Sequence, residues 1–182
     1  SFEAGFAADP AAAPGTQSLL LNLMNEGTQS LDSSALARAR ERLGANISGF
    51  ADLDRTAFQL DALTPNLAPS LGLLADYIRK PALAPSELER VRAQQLAAIS
   101  AELNEPRAIA RRALGAEVYG AGHPYGMPPS GRGDAAVVKT LTREQLLAFH
   151  DTWLRPDTAS VFVVGDTTLA EVTRLLERSF GD

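Results

Sequence analysis

His123 and His150 are the only histidines in this chain of 182 residues, and histidine is the side chain best suited to metal or proton chemistry. The sequence has no cysteine, which excludes disulfides, thiolate metal sites and a cysteine nucleophile. His123 lies in a loop beside Pro124 and Tyr125, and His150 lies near a predicted helix end, where a cationic ring suits the helix dipole. We therefore favour structural roles for both histidines over a shared metal site.

Two other kinds of chemistry have little support in the sequence. A triad of Ser18, His123 and Asp166 would need a nucleophile-elbow sequence around the serine, and none is present. The glycine-rich run 126–133 is not followed by Lys-Ser or Lys-Thr, so it does not predict a phosphate-binding loop.

Five segments in a fixed order resemble the M16 (pitrilysin/insulinase-like) zinc peptidases, and together they cover essentially the whole chain. The first, GTQSLLLNLMNEGT, resembles the helix that carries the HxxEH motif in that family and ends in Gly-Thr. The other segments are Ala39–Ala45, Glu87–Arg92, the HPYG sequence His123–Gly126, and the closing region with Leu141–Phe149, Arg155–Asp157 and Val163–Asp166.

The resemblance also implies where the catalytic residues should be. In HxxEH, two histidines on one helix face bind Zn²⁺ and the glutamate between them acts as general base. When the motif is anchored on Gly27-Thr28, its positions hold Ser18, Leu21 and Asn22. The ligand glutamate of the distant helix falls at Ala98, and its upstream supporting acid falls at Val91.

These replacements predict a domain without catalytic zinc and without a general base, because serine and asparagine are poor zinc ligands and leucine and alanine are none. Glu102 is the nearest carboxylate if the register slips by four residues, and alone it would hold zinc weakly. We therefore predict no catalytic residue, no metal ligand and no cofactor in this domain, with zinc expected only in a partner domain. Its substrate-binding residues stay unassigned.

A second family pattern, Arg-Glu-x-x-Gly-Leu-x-Tyr, supplies an arginine and a tyrosine that hold substrate in partner domains. Here Arg40 and Glu41 match it, but Ile47 stands at the tyrosine position. The sequence leaves two roles open for Arg40, a contact with substrate or partner and a solvated helix charge, and it favours the second.

Periodicity predicts an α+β fold, which we expect to be a mainly antiparallel sheet with helices packed on one face. The predicted strands are 1–8, Ala45–Ala51, Arg55–Leu63 and Thr158–Val164, with a hairpin turn at 52–54. The predicted helices are 16–26, a second helix capped within Asp32–Ser34 and running through Arg42, Pro65–Arg79, Ser86–Asn104, Pro106–Tyr119, a short helix near Ala135, Thr142–Trp153 and Thr168–Phe180, with an ordered loop over Gly120–Asp134.

Composition is that of an ordinary globular domain, with 45% hydrophobic and 21% charged residues and a net charge of −5. Lysine and arginine form no basic stripe, which argues against a nucleic-acid partner, and no apolar run approaches the ~20 residues of a membrane span. Because the opening residues 1–6 resemble the middle of a strand, we expect residues 1–182 to be one domain excised from a larger multi-domain protein.

The resemblance implies a non-catalytic domain that helps to enclose unstructured peptide and pairs with a catalytic domain in the same chain or in a second subunit. The compartment is open, with the periplasm favoured because many bacterial members resemble exported proteins. A second hypothesis is a structural or assembly scaffold that keeps the fold without a proteolytic role, as subunits of respiratory-complex cores resemble this family. A cryptic hydrolase that uses other residues is a third and weaker one.

Overall fold

The computed structural model describes residues 1–120 and 122–181, and helices dominate this part of the chain. Short 3-10 turns cover Phe6–Ala8, Thr64–Asn66, Pro124–Gly126 and Pro156–Thr158. The strands are β1 (Asn46–Ala51) and β2 (Thr56–Asp61), and the helices are α1 (Thr16–Met24), α2 (Ser33–Leu43), α3 (Leu67–Arg79), α4 (Pro85–Leu103), α5 (Pro106–Tyr119), α6 (Ala135–Val138), α7 (Arg143–Trp153) and α8 (Leu169–Phe180).

The hairpin is the part of the sheet that the sequence predicts correctly. β1 and β2 pair antiparallel in a register that runs from Asn46↔Asp61 to Ala51↔Thr56. Asp52 closes the turn, because its Oδ1 accepts hydrogen bonds from the backbone N–H groups of Asp54 and Arg55, each at 2.8 Å. An aspartate that caps its own turn in this way fixes the register of the hairpin.

Helix α1 lies at the centre of the core. Leu19, Leu20, Leu23 and Met24 are each at most 1% exposed. The helix contacts α4, α7 and β1, so it is enclosed on most sides and tolerates its almost entirely uncharged sequence. The apolar residues of α4 and α7 complete this core, among them Val91, Ile99, Leu146 and Phe149.

The expectation of a mainly antiparallel sheet is wrong, although the α+β class holds. Within the described residues the sheet has two strands. Of the predicted strand 1–8, only Phe2 makes bridges, to Thr56 and Ala159, and the predicted strand Thr158–Val164 keeps only the Ala159 bridge. An extended segment becomes a strand only where a neighbour pairs with its backbone, and local sequence does not reveal that neighbour.

The remaining helix predictions agree with the structure to within a few residues at most ends. Thr142 caps α7 in a full capping box with Gln145. In the predicted loop over Gly120–Asp134, Ala121 lies outside the described residues, and Pro124–Gly126 forms a 3-10 turn. No helix in the described part of the chain is both long and apolar enough to span a membrane.

Candidate functional site

The helix that should carry the metal motif is held at both ends by specific contacts. At its start, the Asp9 carboxylate accepts hydrogen bonds from the backbone N–H groups of Gly15 (2.6 Å) and Gln17 (2.8 Å). Burial raises the pKa of Asp9 to about 6, with these backbone donors acting in the opposite direction. Past the other end, Gly27 has φ 137°, and a Cβ there would lie 2.6 Å from the Leu31 carbonyl oxygen, so this anchor position requires glycine.

The three motif positions on α1 differ in their exposure. Ser18 is half-buried and Asn22 is exposed, whereas Leu21 is 8% exposed. Its Cδ2 lies 3.1 Å from the position that a Cβ on Gly49 of β1 would occupy. The position of the general base is therefore an apolar contact between helix and strand.

The corresponding positions on α4 are also apolar. Val91 is 1% exposed and belongs to the core, and Ala98 is half-buried. Glu102, one turn further along the helix, lies between two arginines: it pairs with Arg112 at 2.7 Å and with Arg132.

The Glu102 carboxylate is thus engaged by other side chains of the protein. Ser130 adds a third hydrogen bond at 3.2 Å. Burial alone would raise the pKa of Glu102, but the hydrogen bonds from Arg112 and Arg132 outweigh it and lower the pKa from its ordinary value. A carboxylate with this environment links α4 to α5 and to the loop before α6.

These residues do not fit a catalytic zinc ion. A hydroxyl, a buried leucine and an exposed amide stand at the motif positions, and the nearby carboxylate is neutralised by two guanidinium groups. Over residues 1–120 and 122–181, no three or more His, Cys, Asp or Glu side chains form a group that could hold a metal ion. Metal-assisted hydrolysis has no ligand set at this location.

Arg40 is the site residue whose environment differs most from expectation. The interpretation as a solvated helix charge is wrong, because its guanidinium carbon lies 5.3 Å from the ring centroid of Tyr77. Its Nε and Nη2 atoms are buried and have no hydrogen-bond partner in the described part of the chain. A cation over an aromatic face is stabilised by the ring quadrupole, which offsets part of the cost of burying these N–H groups.

Tyr77 and Asn25 connect Arg40 to the motif helix. The fully buried Tyr77 donates its hydroxyl to Asn25 Oδ1 at 2.9 Å, and Asn25 Nδ2 donates to the Leu21 carbonyl at 3.1 Å. Burial raises the pKa of Tyr77 to about 12, so the phenol stays protonated at neutral pH. The sequence analysis missed Tyr77 and Asn25. The available signal was Asn25 itself, seven residues after Ser18 and therefore on the same helix face.

The two histidines have separate structural environments. His150 is buried, with Nε2 at 2.7 Å from the Ile78 carbonyl and Nδ1 at 2.9 Å from Asp151 Oδ1. His123 Nδ1 accepts from the Tyr125 N–H at 3.0 Å, and its ring stacks on Tyr119 at a centroid distance of 5.4 Å. His150 therefore links α7 to α3, whereas His123 stabilises its own turn.

An α+β domain whose first long helix carries Ser18, Leu21 and Asn22 at the positions aligned with HxxEH, and whose described residues form no metal-binding group, points to the class of peptidase-like domains. The sequence matches the family described as insulinase (peptidase family M16) over residues 1–126, and the M16 inactive domain over residues 140–182. Because the first match covers more than half of the chain, the chain belongs to the M16 peptidase family.

Known relatives agree with this assignment. An uncharacterized zinc protease of Mycobacterium leprae is 25% identical over 171 residues, which cover 94% of this chain and 38% of the relative. The chain therefore spans well under half the length of the curated relatives that it matches.

Solved structures show the same fold. The M16 inactive domain from Pseudomonas fluorescens superposes with a TM-score of 0.92 and 29% identity, covering 99% of this chain and 43% of that one. The periplasmic protease PqqL from Escherichia coli superposes with a TM-score of 0.83 and 18% identity, covering 98% of this chain and 20% of that one, which shows similarity of fold.

Proposed function

We propose that this chain is a non-catalytic domain of an M16-type zinc peptidase, that it forms part of a peptide-enclosing chamber, and that it pairs with a catalytic domain. The observation that carries the proposal is the environment of Leu21, where the family's general base is replaced by a side chain packed between α1 and β1. Without that base and without ligands at Ser18, Asn22 and Ala98, the domain contributes surface and not hydrolysis.

The direct test is a metal and activity assay on the purified chain. After equilibration with zinc and removal of free metal, we expect clearly less than one zinc per chain and no cleavage of an unstructured peptide. A content of one zinc per chain that is lost on substitution of Ser18 or Asn22 would overturn the proposal. Zinc that persists in both variants would indicate adventitious binding elsewhere and leave the proposed role intact.

Peptide contact is proposed at the free edge of β1 and at Arg40. Within the described residues β1 pairs only with β2, so its other edge can accept an extended peptide through backbone hydrogen bonds. The half-buried Arg40 guanidinium, beside the Tyr77 ring, is a cationic donor suited to a carbonyl or carboxylate oxygen of the peptide. Support comes from the position of Arg40, linked through Tyr77 and Asn25 to the motif helix.

Substitution of Arg40 separates peptide binding from the scaffold alternative. If Arg40 holds peptide, Arg40→Met should weaken binding of a fluorescent unstructured peptide by roughly tenfold, the size expected for one hydrogen bond to a charged group. Arg38→Met, at an exposed position of the same helix, should leave binding unchanged. Absence of peptide binding by the wild-type chain would instead favour the assembly scaffold.

We also propose that residues 1–182 form one domain of a longer protein that contains or binds the catalytic partner. The matched relatives are longer than this chain by more than twofold, which supports such an architecture. The periplasm is the proposed compartment, supported by the similarity of fold to the periplasmic protease PqqL. Proteomics of fractionated cells, with identification of the intact gene product, tests both proposals.

A further inference from the structure

The segment His123–Gly126, with the sequence HPYG, has no part in the proposed function. In the structure Pro124–Gly126 forms a 3-10 turn that packs against α5 and against the short turn Phe6–Ala8. It also reaches the β1–β2 hairpin through the Tyr125 side chain. We call residues His123–Gly126 the His-capped turn. Its contacts connect three parts of the chain that are distant in sequence.

Two contacts hold the His-capped turn on its neighbours. On α5, a Cβ added to Gly115 would lie 2.7 Å from the Tyr125 carbonyl oxygen, so the turn lies directly on the helix backbone. On the hairpin, the Tyr125 hydroxyl donates a hydrogen bond to Asp54 Oδ1. This hydrogen bond raises the pKa of the Tyr125 phenol, which therefore keeps its proton in neutral and acidic solution. Tyr125 thus joins α5 to the end of the hairpin.

His123 fixes the start of the turn with its side chain. The Tyr125 N–H donates a hydrogen bond to His123 Nδ1 at 3.0 Å, so the imidazole caps the turn as an asparagine or serine oxygen would. This bond requires a free electron pair on Nδ1, because the backbone N–H can only donate. In the imidazolium both ring nitrogens carry protons, and neither can accept a hydrogen bond. The cap therefore exists only with the neutral ring.

The other contacts of the imidazole do not require a particular charge. Its ring stacks on Tyr119 of α5 at a centroid distance of 5.4 Å and lies perpendicular to the Tyr125 ring at 5.5 Å. An aromatic ring can pack against a neutral imidazole or against an imidazolium. Among the charged side chains of α5, Arg112 is paired with Glu102, and Glu117 is exposed. The Tyr125 N–H is therefore the contact that distinguishes the two forms of the ring.

The other neighbouring elements supply one carboxylate that contacts the turn. The hairpin contributes Asp54, which binds the tyrosine hydroxyl, and Asp52, whose Oδ1 accepts backbone N–H groups of the hairpin turn. Phe6–Ala8 carries no ionisable side chain, and the Asp9 carboxylate that follows it caps α1. His123 itself is exposed, so its ring exchanges protons directly with solvent.

We propose that the His-capped turn is a pH-sensitive link between α5 and the hairpin. Protonation of His123 removes the acceptor of the Tyr125 N–H and loosens the contact of Tyr125 with Asp54, whereas the neutral ring keeps both. Imidazole side chains gain their second proton in mildly acidic solution, so the link is closed at neutral pH and loosened in acid. The backbone bond from the Gly126 N–H to the His123 carbonyl, at 2.8 Å, does not depend on the ring and limits the change to the turn. This proposal does not depend on the peptidase-like role.

Amide hydrogen exchange of Tyr125, measured by NMR between about pH 7.5 and about pH 5 and corrected for intrinsic exchange, tests the cap. In the wild-type chain we expect the protection of this amide to fall roughly fivefold on acidification, the factor for loss of one hydrogen bond. His123→Asn keeps an acceptor oxygen that does not titrate, so its protection should be the same at both pH values. His123→Ala has no acceptor and should show the low protection throughout.

Asp9→Asn is the control for the second group that we expect to titrate in this range, and it should keep the wild-type response of the Tyr125 amide. A wild-type protection that does not change with pH would overturn the proposal. So would a His123→Asn variant that loses protection in acid as the wild type does, because the response would then come from another group.

A second measurement tests the connection to the hairpin. In the wild-type chain the amide resonances of Asp54 and Arg55 should shift with the same midpoint as that of Tyr125. Tyr125→Phe keeps the capped N–H but removes the hydroxyl that binds Asp54, so the hairpin resonances should no longer follow the amide of residue 125. Hairpin amides that shift equally in both proteins, or that shift in neither, would overturn the link between the turn and the hairpin.

Discussion

The motif side of α1 and the cavity between β2 and segment 159–167 differ in how far neighbouring residues cover them. Around Leu21 and Glu102 the structure is closed: an apolar contact fills the base position, and a carboxylate is paired with two arginines. Around Phe58 and Phe162 it is open, with apolar side chains exposed and strand edges that face a cavity. The first region is closed by the protein's own side chains, and the second exposes an apolar surface in the described part of the chain.

This difference in coverage determines how each region should respond to substitution. At the motif side, Leu21 packs on β1 and Glu102 is paired with two arginines, so both side chains already have partners within the chain. At the cavity beside β2, Phe162 and Val164 are exposed, so their side chains have few contacts to lose. Substitutions that disturb one region should therefore have effects very different from those in the other.

The largest effect should come from restoring a glutamate at the base position. Leu21→Glu should destabilise the fold by about 4 kcal/mol, because it places an unpaired carboxylate in the contact between α1 and Gly49. Asn22→Glu introduces the same charge at the exposed neighbouring position and should cost less than about 1 kcal/mol. Urea denaturation measures both. A Leu21→Glu variant as stable as wild type would mean that this position is not closed.

The next effect concerns pH and the Asp9 cap of α1. Burial raises the folded-state pKa of Asp9 from 3.8 to about 6, so the folded state binds the proton more tightly than the unfolded state does. The protonated Asp9 carboxyl therefore contributes its full stabilisation below about pH 4 and loses it as the pH rises through about 6. The free energy of unfolding should fall by an amount on the order of 2–3 kcal/mol over this range.

Unfolding free energies measured from pH 4 to 7 test this sign. Asp9→Asn should remove the fall in the free energy of unfolding with rising pH. Glu3→Gln, at an exposed position nearby in the chain, should keep that fall. A wild-type stability that rises over this interval while Asp9→Asn stays flat would show that the backbone donors outweigh burial.

A smaller loss is expected from neutralising Glu102. Glu102→Gln leaves the Arg112 side chain, which is 15% exposed, without its ionic partner. Because Arg132 is 42% exposed and is screened by solvent, we expect a cost of about 2 kcal/mol, below the usual range for a fully buried pair. Glu117→Gln, on the exposed surface of α5, should change stability by less than about 0.5 kcal/mol. Similar losses of stability for both substitutions would contradict the pairing of Glu102 with Arg112 and Arg132.

The sequence predicts those parts of the molecule that local rules control. Helical periodicity and capping residues gave α1, α3 and α7, and the Asp52 turn gave the hairpin, since each signal lies within a few residues. The Gly27-Thr28 anchor was enough to place Ser18, Leu21 and Asn22 on the motif helix.

What the sequence did not predict depends on distant pairs. Arg40 is buried against Tyr77, 37 positions later, and Glu102 binds Arg132, 30 positions later. Thr158–Val164 has the composition of a strand, yet within the described residues only Ala159 forms a bridge, to Phe2. Side-chain type indicates local structure well, but the partner of a charge or a strand edge is a property of the tertiary fold.

The smallest change in stability is expected at Phe162, on the exposed apolar surface beside β2. Phe162→Ser removes a large aromatic ring that is 82% exposed, and we expect the unfolding free energy to change by less than about 0.5 kcal/mol. Phe149→Ser, an identical substitution at a 4% exposed position of α7, should cost about 4 kcal/mol because it opens a cavity beside α1. Binding of a hydrophobic dye should also fall in Phe162→Ser, since the ring forms part of the exposed apolar surface beside β2. A loss of more than about 2 kcal/mol in the free energy of unfolding for Phe162→Ser would mean that this surface is already covered in solution. The contrast between a closed and an open region would then fail.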